Sequence, residues 1–276
     1  MSNSTSYKNA PLIELIVELR WTVTTLFSPD APPPIAENSA TFDIWFNAFS
    51  SKLEKLGYLN LERLLPYDFP PSAYQPIFRY RKSRETPFPV VQFGHGIFTI
   101  NAGPPDYVSW KKFRPEVEAG IKALLDAKPG ENSPKKFISA NVRYIDGFRD
   151  TLKEGLSNYK FIKEGLQTSI HLPKSILNLA ESEDSIAPTI LMRFPLKANI
   201  NSLLTIQIAA GKVNNESATL MEMSYHTNEE ILMETTEVLE VLDVSHGTLH
   251  SVFEMITQPI HDRMLPSRDE ERADVF

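Results

Sequence analysis

Residues 11–21 alternate in polarity with a period of two. One set of positions is apolar throughout and comprises Pro11, Ile13, Leu15, Val17, Leu19 and Trp21. The other set holds Glu14, Glu18 and Arg20 together with Leu12 and Ile16. Because successive side chains of a β-strand point to opposite faces, the pattern predicts a strand with one buried face and one charged face.

Three other segments carry apolar residues at helical spacing. Residues 42–56 predict an amphipathic helix that ends before Gly57. Residues 107–127 predict a second helix, in which Pro115 is expected to cause a kink or a restart. The last helix is predicted over about 248–264, broken or kinked at Pro259.

The remaining apolar runs are short and have the period of strands. In the first half they cover residues 78–82 and a hairpin over 90–102 that turns at Gly94-His95-Gly96. In the second half they cover residues 137–146, 190–197, 203–209 and 219–226.

This order of elements predicts an α+β fold with two similar halves. Each half is expected to be an antiparallel curved sheet packed by a long amphipathic helix. The Pro-, Gly- and Ser-rich segment 128–134 places the boundary, which gives lobes over 1–131 and 132–266 and a solvated tail over 267–276.

Composition excludes several classes of protein. The chain has no cysteine, which excludes disulfides, thiolate zinc sites and cysteine nucleophiles. The N-terminus lacks the apolar region of a signal peptide, and no apolar run is long enough to span a membrane. We therefore expect a cytoplasmic protein that makes no membrane contact.

Charge is concentrated in the second half of the chain. Residues 133–276 carry 14 Lys and Arg against 21 Asp and Glu. Segment 213–262 contains ten acidic residues and no Lys or Arg, so it is not expected to bind nucleic acid. Its acidic side chains either form a solvated surface or receive a basic partner protein, and the candidate contact residues are Glu229, Glu230, Glu234 and Glu237.

The charged face of the first strand is a second candidate site. Glu14 and Glu18 lie about 13 Å apart on a strand, too far for a paired acid–base dyad. Glu18 is expected to pair with Arg20, and Arg143 from the matching strand of the second half is a candidate to join them. Such a cluster either fixes strand register or binds a ligand.

Histidines on the last helix offer a third possibility. His246, His250 and Glu254 follow each other at intervals of four, and the two histidines could share a metal ion with ligands from elsewhere. Helix-cap and surface roles are the alternative. The chain has neither a phosphate-binding loop nor a G-x-S-x-G elbow, so no catalytic residue, metal site or cofactor is assigned.

Four motifs occur in order along the chain. They are A-P-L-I-E-L-I-V-E-L-R-W at Ala10–Trp21, Y-V-S-W-K-K-F-R-P at Tyr107–Pro115, V-R-Y-I-D at Val142–Asp146 and L-H-S-V-F-E-M-I-T at Leu249–Thr257. With them the chain resembles a sporadically distributed bacterial protein family that has no assigned activity. The resemblance implies asparagine at the position of Asp146, a minor change in hydrogen bonding. It also implies a patchy distribution like that of defence or toxin–antitoxin genes, and it supplies no catalytic residue.

Three hypotheses about function follow. The leading one is a non-catalytic interaction or accessory protein of a defence-type system, with another protein as its partner and homo-oligomers as a further possibility. The second is a metal-dependent hydrolase that uses His246 and His250. The third is a binder of a small apolar ligand held between helix and sheet.

Overall fold

One large antiparallel sheet organises the chain. The computed structural model describes residues 6–23, 25–26, 35–36, 40–130, 133–197 and 201–267. Within these ranges the sheet contains β1 (Leu12–Arg20), β2 (Asn60–Arg63), β3 (Pro76–Arg81), β4 (Val90–Gly94), β5 (Ile97–Ala102), β6 (Ser139–Phe148), β7 (Thr189–Pro195), β8 (Ser202–Val213) and β9 (Glu216–Thr227). Their order across the sheet is β7-β8-β9-β6-β1-β5-β4-β3-β2. Each neighbouring pair is antiparallel.

Helices complete the fold and confirm its α+β class. They are α1 (Ala40–Lys55), α2 (Trp110–Asp126), α3 (Asp150–Lys153), α4 (Asn158–Glu164), α5 (Lys174–Leu177), α6 (Thr235–Thr257) and α7 (His261–Met264). Helix α2 lies between α1 and α6, and α6 contacts the central strands β6 and β9. Two-residue strands form three further pairs: Ser6–Tyr7 with Pro266–Ser267, Thr25–Leu26 with Ile35–Ala36, and Lys136–Phe137 with Ile231–Leu232.

The alternation in β1 has the predicted effect from Leu15 onward, except that Ile16 on the charged face is also buried. Leu15, Val17 and Leu19 are fully buried in the core. Glu14 and Glu18 lie at the alternate positions and are only partly buried. The regular register breaks at Ile13: Ile145 of β6 faces Glu14, whereas the next residue, Asp146, faces Leu12. This β-bulge inserts one residue into β1.

An indole group ties helix α1 to the end of α2. The last carbonyl groups of a helix have no partner within it. In α2 the carbonyl oxygen of Leu124 accepts a hydrogen bond from Nε1 of Trp45, at 3.0 Å in the buried core. Trp45 also contacts Trp21, with ring centroids 4.9 Å apart. The aromatic stripe predicted for residues 42–56 therefore joins two helices and the end of β1.

The last long helix differs most from the prediction. Helix α6 begins at Thr235 rather than near Thr248, and it passes through Gly247 without a break. Apolar residues continue at helical spacing along its buried side, where Val238, Leu242 and Leu249 are fully buried. The predicted break at Pro259 is confirmed, because α6 ends at Thr257 and a 3₁₀ turn follows over Gln258–Ile260.

The strand order shows how the strands of the two expected halves are arranged in the sheet. The first strands of the halves, β1 and β6, pair at the centre of one continuous sheet. The last strand of each half, β5 or β9, then lies next to its own first strand. The lobes over 1–131 and 132–266 stay a prediction. Residues 131 and 132, and 268–276 of the expected tail, lie outside the described residues.

Replacing Trp45 with phenylalanine should destabilise the protein. The variant leaves the buried Leu124 carbonyl without its donor, which costs about 1–3 kcal/mol in addition to lost packing. Urea denaturation measures this free energy of unfolding. Trp21→Phe is the matched control, because it removes an indole that has no hydrogen-bond partner among the described residues. An equal loss in the two variants would contradict the role given to this hydrogen bond.

Candidate functional site

A cavity of about 670 Å³ lies on the helix-covered side of the sheet. Its lining comes from the start of β1, the start of α2, strand β6 and the middle of α6. This volume is within the range of pockets that hold small molecules. The cavity therefore lies where elements from the two halves of the sequence meet.

Two tyrosines and a histidine form a hydrogen-bonded chain in the cavity wall. The Tyr107 and Tyr144 hydroxyl oxygens are 3.3 Å apart, and that of Tyr144 is 2.8 Å from Nδ1 of His246. Tyr107 precedes α2, Tyr144 is on β6 and His246 is on α6. The chain thus links three separate elements.

Burial keeps this chain neutral at physiological pH. It raises the pKa of Tyr107 to about 12 and that of Tyr144 well above its usual range. Burial, together with the nearby His250, lowers the pKa of His246 to about 4. Depending on its tautomer, a neutral imidazole either accepts a hydrogen bond from the Tyr144 hydroxyl at Nδ1 or donates one to it, so the hydroxyl hydrogens of the chain can point in either direction.

One cavity wall is fixed by an ion pair. The indole Nε1 of Trp110 donates to Asp243 at 2.8 Å, and Asp243 also pairs with Arg114 at 3.0 Å. The ring of Trp110 stacks on His246 with centroids 5.1 Å apart. Trp110 and Arg114 belong to α2, whereas Asp243 and His246 belong to α6, so these contacts hold the two helices together beside the cavity.

Asp146 is the unusual group of the cavity. It follows Tyr144 by two residues on β6, lines the cavity and is only 3% exposed. Its Oδ2 atom is buried without a hydrogen-bond partner among the described residues. Burial raises the pKa of this carboxyl group to about 7. Carrying the ionised form in the folded protein at higher pH then costs about 4 kcal/mol relative to the unfolded chain.

The charged residues predicted on β1 do not belong to this cavity. Glu14 accepts a hydrogen bond from Asn101 at 2.7 Å, and Glu18 pairs with Arg20 at 2.8 Å. Arg143 pairs instead with Glu222 of β9 at 3.3 Å. The structure therefore confirms the Glu18–Arg20 pair and gives Arg143 a different partner. A binding role for these residues stays a prediction.

The four predicted acidic contact residues lie at and just before the start of α6. Glu229 accepts a hydrogen bond from the backbone N–H of Asn201 at 2.9 Å, and Glu230 pairs with Lys136 at 2.7 Å. Glu234 immediately precedes α6 and Glu237 is in its first turn, where negative charge stabilises a helix. Each position thus has an intramolecular explanation, and their role in binding a partner stays a prediction.

The histidines of the metal hypothesis have other contacts. His246 bonds to Tyr144, and Glu254 accepts from the Tyr7 hydroxyl at 2.8 Å. His246 and His250 do lie together, with ring centroids 5.9 Å apart. In the described part of the chain, no three His, Cys, Asp or Glu side chains are grouped so that they could hold a metal ion.

All four motifs behind the family resemblance meet at this cavity. The first contributes Ala10, Pro11 and Leu12, and the second contributes residues 107–111. The third contributes Tyr144 and Asp146, and the fourth contributes Leu249, His250, Ser251 and Phe253. Nothing in the sequence alone indicated that these segments come together, because strand pairing and helix packing bring them there.

No family model, curated protein or solved structure matches this chain. Among the helices of the described ranges, none is long and apolar enough to cross a membrane.

Replacing Asp146 with asparagine should stabilise the protein more at high pH than at low pH. As pH rises from about 4 to about 7, the unfolded chain loses this proton while the folded protein keeps it, so wild-type stability falls. Above about pH 7 the carboxyl group is ionised in both states, so wild-type stability falls no further. Urea denaturation of both proteins at pH 5 and pH 8.5 measures the difference, which should grow by up to a few kcal/mol. A difference that is the same at both pH values would show that Asp146 has an ordinary pKa.

Proposed function

We propose that the protein binds a small, mainly apolar molecule in the cavity between α2, α6 and the sheet. The observation that carries this proposal is the combination of a cavity of about 670 Å³ with a buried polar group, Asp146, that lacks a partner among the described residues. Protein interiors are normally packed with few voids, and their buried polar groups are normally hydrogen-bonded. A bound molecule would satisfy both conditions.

The lining of the cavity is suited to a mainly apolar ligand. Aromatic rings and aliphatic side chains supply most of its surface, including Tyr107, Trp110, Leu249 and Phe253. The hydroxyl groups of the Tyr107–Tyr144 pair add a few polar contacts that can orient a ligand. An apolar surface combined with polar groups that fix the orientation of the ligand is typical of small-molecule sites.

The interaction hypothesis is compatible with this proposal. A ligand-binding protein can also act as an accessory protein in a defence-type system, and contact with a basic partner through Glu229, Glu230, Glu234 and Glu237 stays a prediction. So does a cytoplasmic location. The metal-hydrolase hypothesis gains no support from the described residues, since Glu254 bonds to Tyr7 and no group of three metal ligands forms.

Gly247 allows the cavity to be filled by a single substitution. It lines the cavity from α6, and a Cβ atom built on it meets no atom within 4 Å apart from its chain neighbours and the surrounding helix backbone. We expect wild-type protein to bind the apolar fluorescent probe N-phenyl-1-naphthylamine and Gly247→Phe to bind it at least tenfold more weakly, because the phenyl ring takes up the space. Fluorescence titration measures the dissociation constants.

Gly247→Ala is the matched control. It should retain probe binding and raise the free energy of unfolding by about 0.5–1 kcal/mol, because alanine replaces glycine within a helix. Failure of the wild-type protein to bind the probe, or equal binding by wild type and Gly247→Phe, would contradict the proposed cavity function.

A further inference from the structure

The cavity contains a carboxyl group whose counter-charge is missing. Among the described residues, Asp146 forms no ion pair, and its Oδ2 atom has no hydrogen-bond donor. Asp243, the other aspartate of the cavity, has both Trp110 and Arg114 as partners. Charged groups in protein interiors are normally paired, because isolated ionised groups are costly to bury.

The surrounding cations do not fill this role. Lys8 and Lys111 line the cavity but are exposed, and neither forms an ion pair with Asp146. The titratable groups that face the cavity from α6 are Asp243, His246 and His250. Burial holds the pKa of His246 near 4, so its ring carries no positive charge at physiological pH.

The neighbouring side chains favour a cation over a neutral group. Tyr107, Trp110, Tyr144 and Phe253 bring aromatic rings to the cavity, and the faces of such rings attract positive charge. The hydroxyl oxygens of Tyr107 and Tyr144 can accept hydrogen bonds. An ammonium group has three donors and a positive charge, so it can bind a carboxylate and a hydroxyl oxygen together.

We propose that the ligand of this cavity is an amine with an apolar, aromatic-sized body, and that its ammonium group binds the Asp146 carboxylate. This inference rests on the proposed function and names the class of ligand. The amine nitrogen supplies the counter-charge that the chain lacks, while the apolar body fills the space between α2 and α6. A neutral hydroxyl group would supply a hydrogen bond without the charge.

Three naphthalene compounds of similar shape separate these possibilities. The probes are 1-naphthylmethylamine, 1-naphthalenemethanol and 1-naphthoate, which carry a positive charge, no charge and a negative charge. At pH 7.5 we expect wild-type protein to bind the amine about tenfold or more tightly than the alcohol, the size of effect typical of a hydrogen bond to a charged group. The carboxylate should bind most weakly. Calorimetric titration measures all three affinities.

Three variants assign the preference to Asp146. In Asp146→Asn, and in Asp146→Ala as a second variant, the amine should lose its advantage while the alcohol binds as in wild type. Glu222→Gln is the matched control, because this carboxylate lies outside the cavity lining and already pairs with Arg143. That variant should retain the preference for the amine.

The outcomes distinguish this inference from the proposed function. Equal binding of amine and alcohol, tighter binding of the carboxylate, or an amine preference that survives in both Asp146 variants would overturn the ligand class. The cavity function would then still stand if N-phenyl-1-naphthylamine binds and Gly247→Phe prevents it. Binding of none of the three naphthalenes also overturns the inference. In that case the titration with N-phenyl-1-naphthylamine alone decides the cavity function.

Discussion

The pairing of β1 with β6 is the constraint on which the rest of the structure depends. These strands form the centre of the sheet and join the two halves of the chain, with Val17 opposite Val142 and Leu15 opposite Tyr144. The register decides which side chains face the helices, because a slip by one residue would turn every side chain to the other face. With this register Tyr144 and Asp146 line the cavity on the helix-covered side.

The cavity follows from how the helices cover this central pair. Helix α2 comes from the first half of the chain and α6 from the second, and they meet through Trp110, Arg114 and Asp243. His246 then contacts Trp110 on one helix and Tyr144 on the sheet, which holds the wall in place. A site built in this way needs both halves of the chain, so its geometry is coupled to the global fold.

The sequence predicted those features that depend on local pattern. The alternation over 11–21, the stripe of α1 and the hairpin at Gly94-His95-Gly96 each follow from neighbouring residues. The structure confirms them, apart from the buried Ile16 and the bulge at Ile13. It did not predict the start of α6 at Thr235, because the helix continues through Gly247, which local propensity disfavours inside a helix, and tertiary packing supplies its stability.

The candidate site was harder to predict than the fold. Asp146 differs from its neighbours only through burial and the lack of a partner, which no local pattern encodes. From the sequence, Asp146 is only a minor change in a motif. The predicted candidate sites are instead Glu14, Glu18, Arg20, Arg143 and the acidic residues near α6. The charges of those residues are evident from the sequence, but in the structure several of them are neutralised by ion pairs within the chain.

Native mass spectrometry of the protein isolated from its own host tests the central claim most directly. If the cavity is a ligand site, wild-type protein should carry a small-molecule adduct in near-stoichiometric amount, and Gly247→Phe prepared in the same way should not. A bare chain in both preparations, or an adduct of equal abundance in both, would contradict the claim. A stoichiometric second protein in place of the small molecule would instead favour the interaction hypothesis.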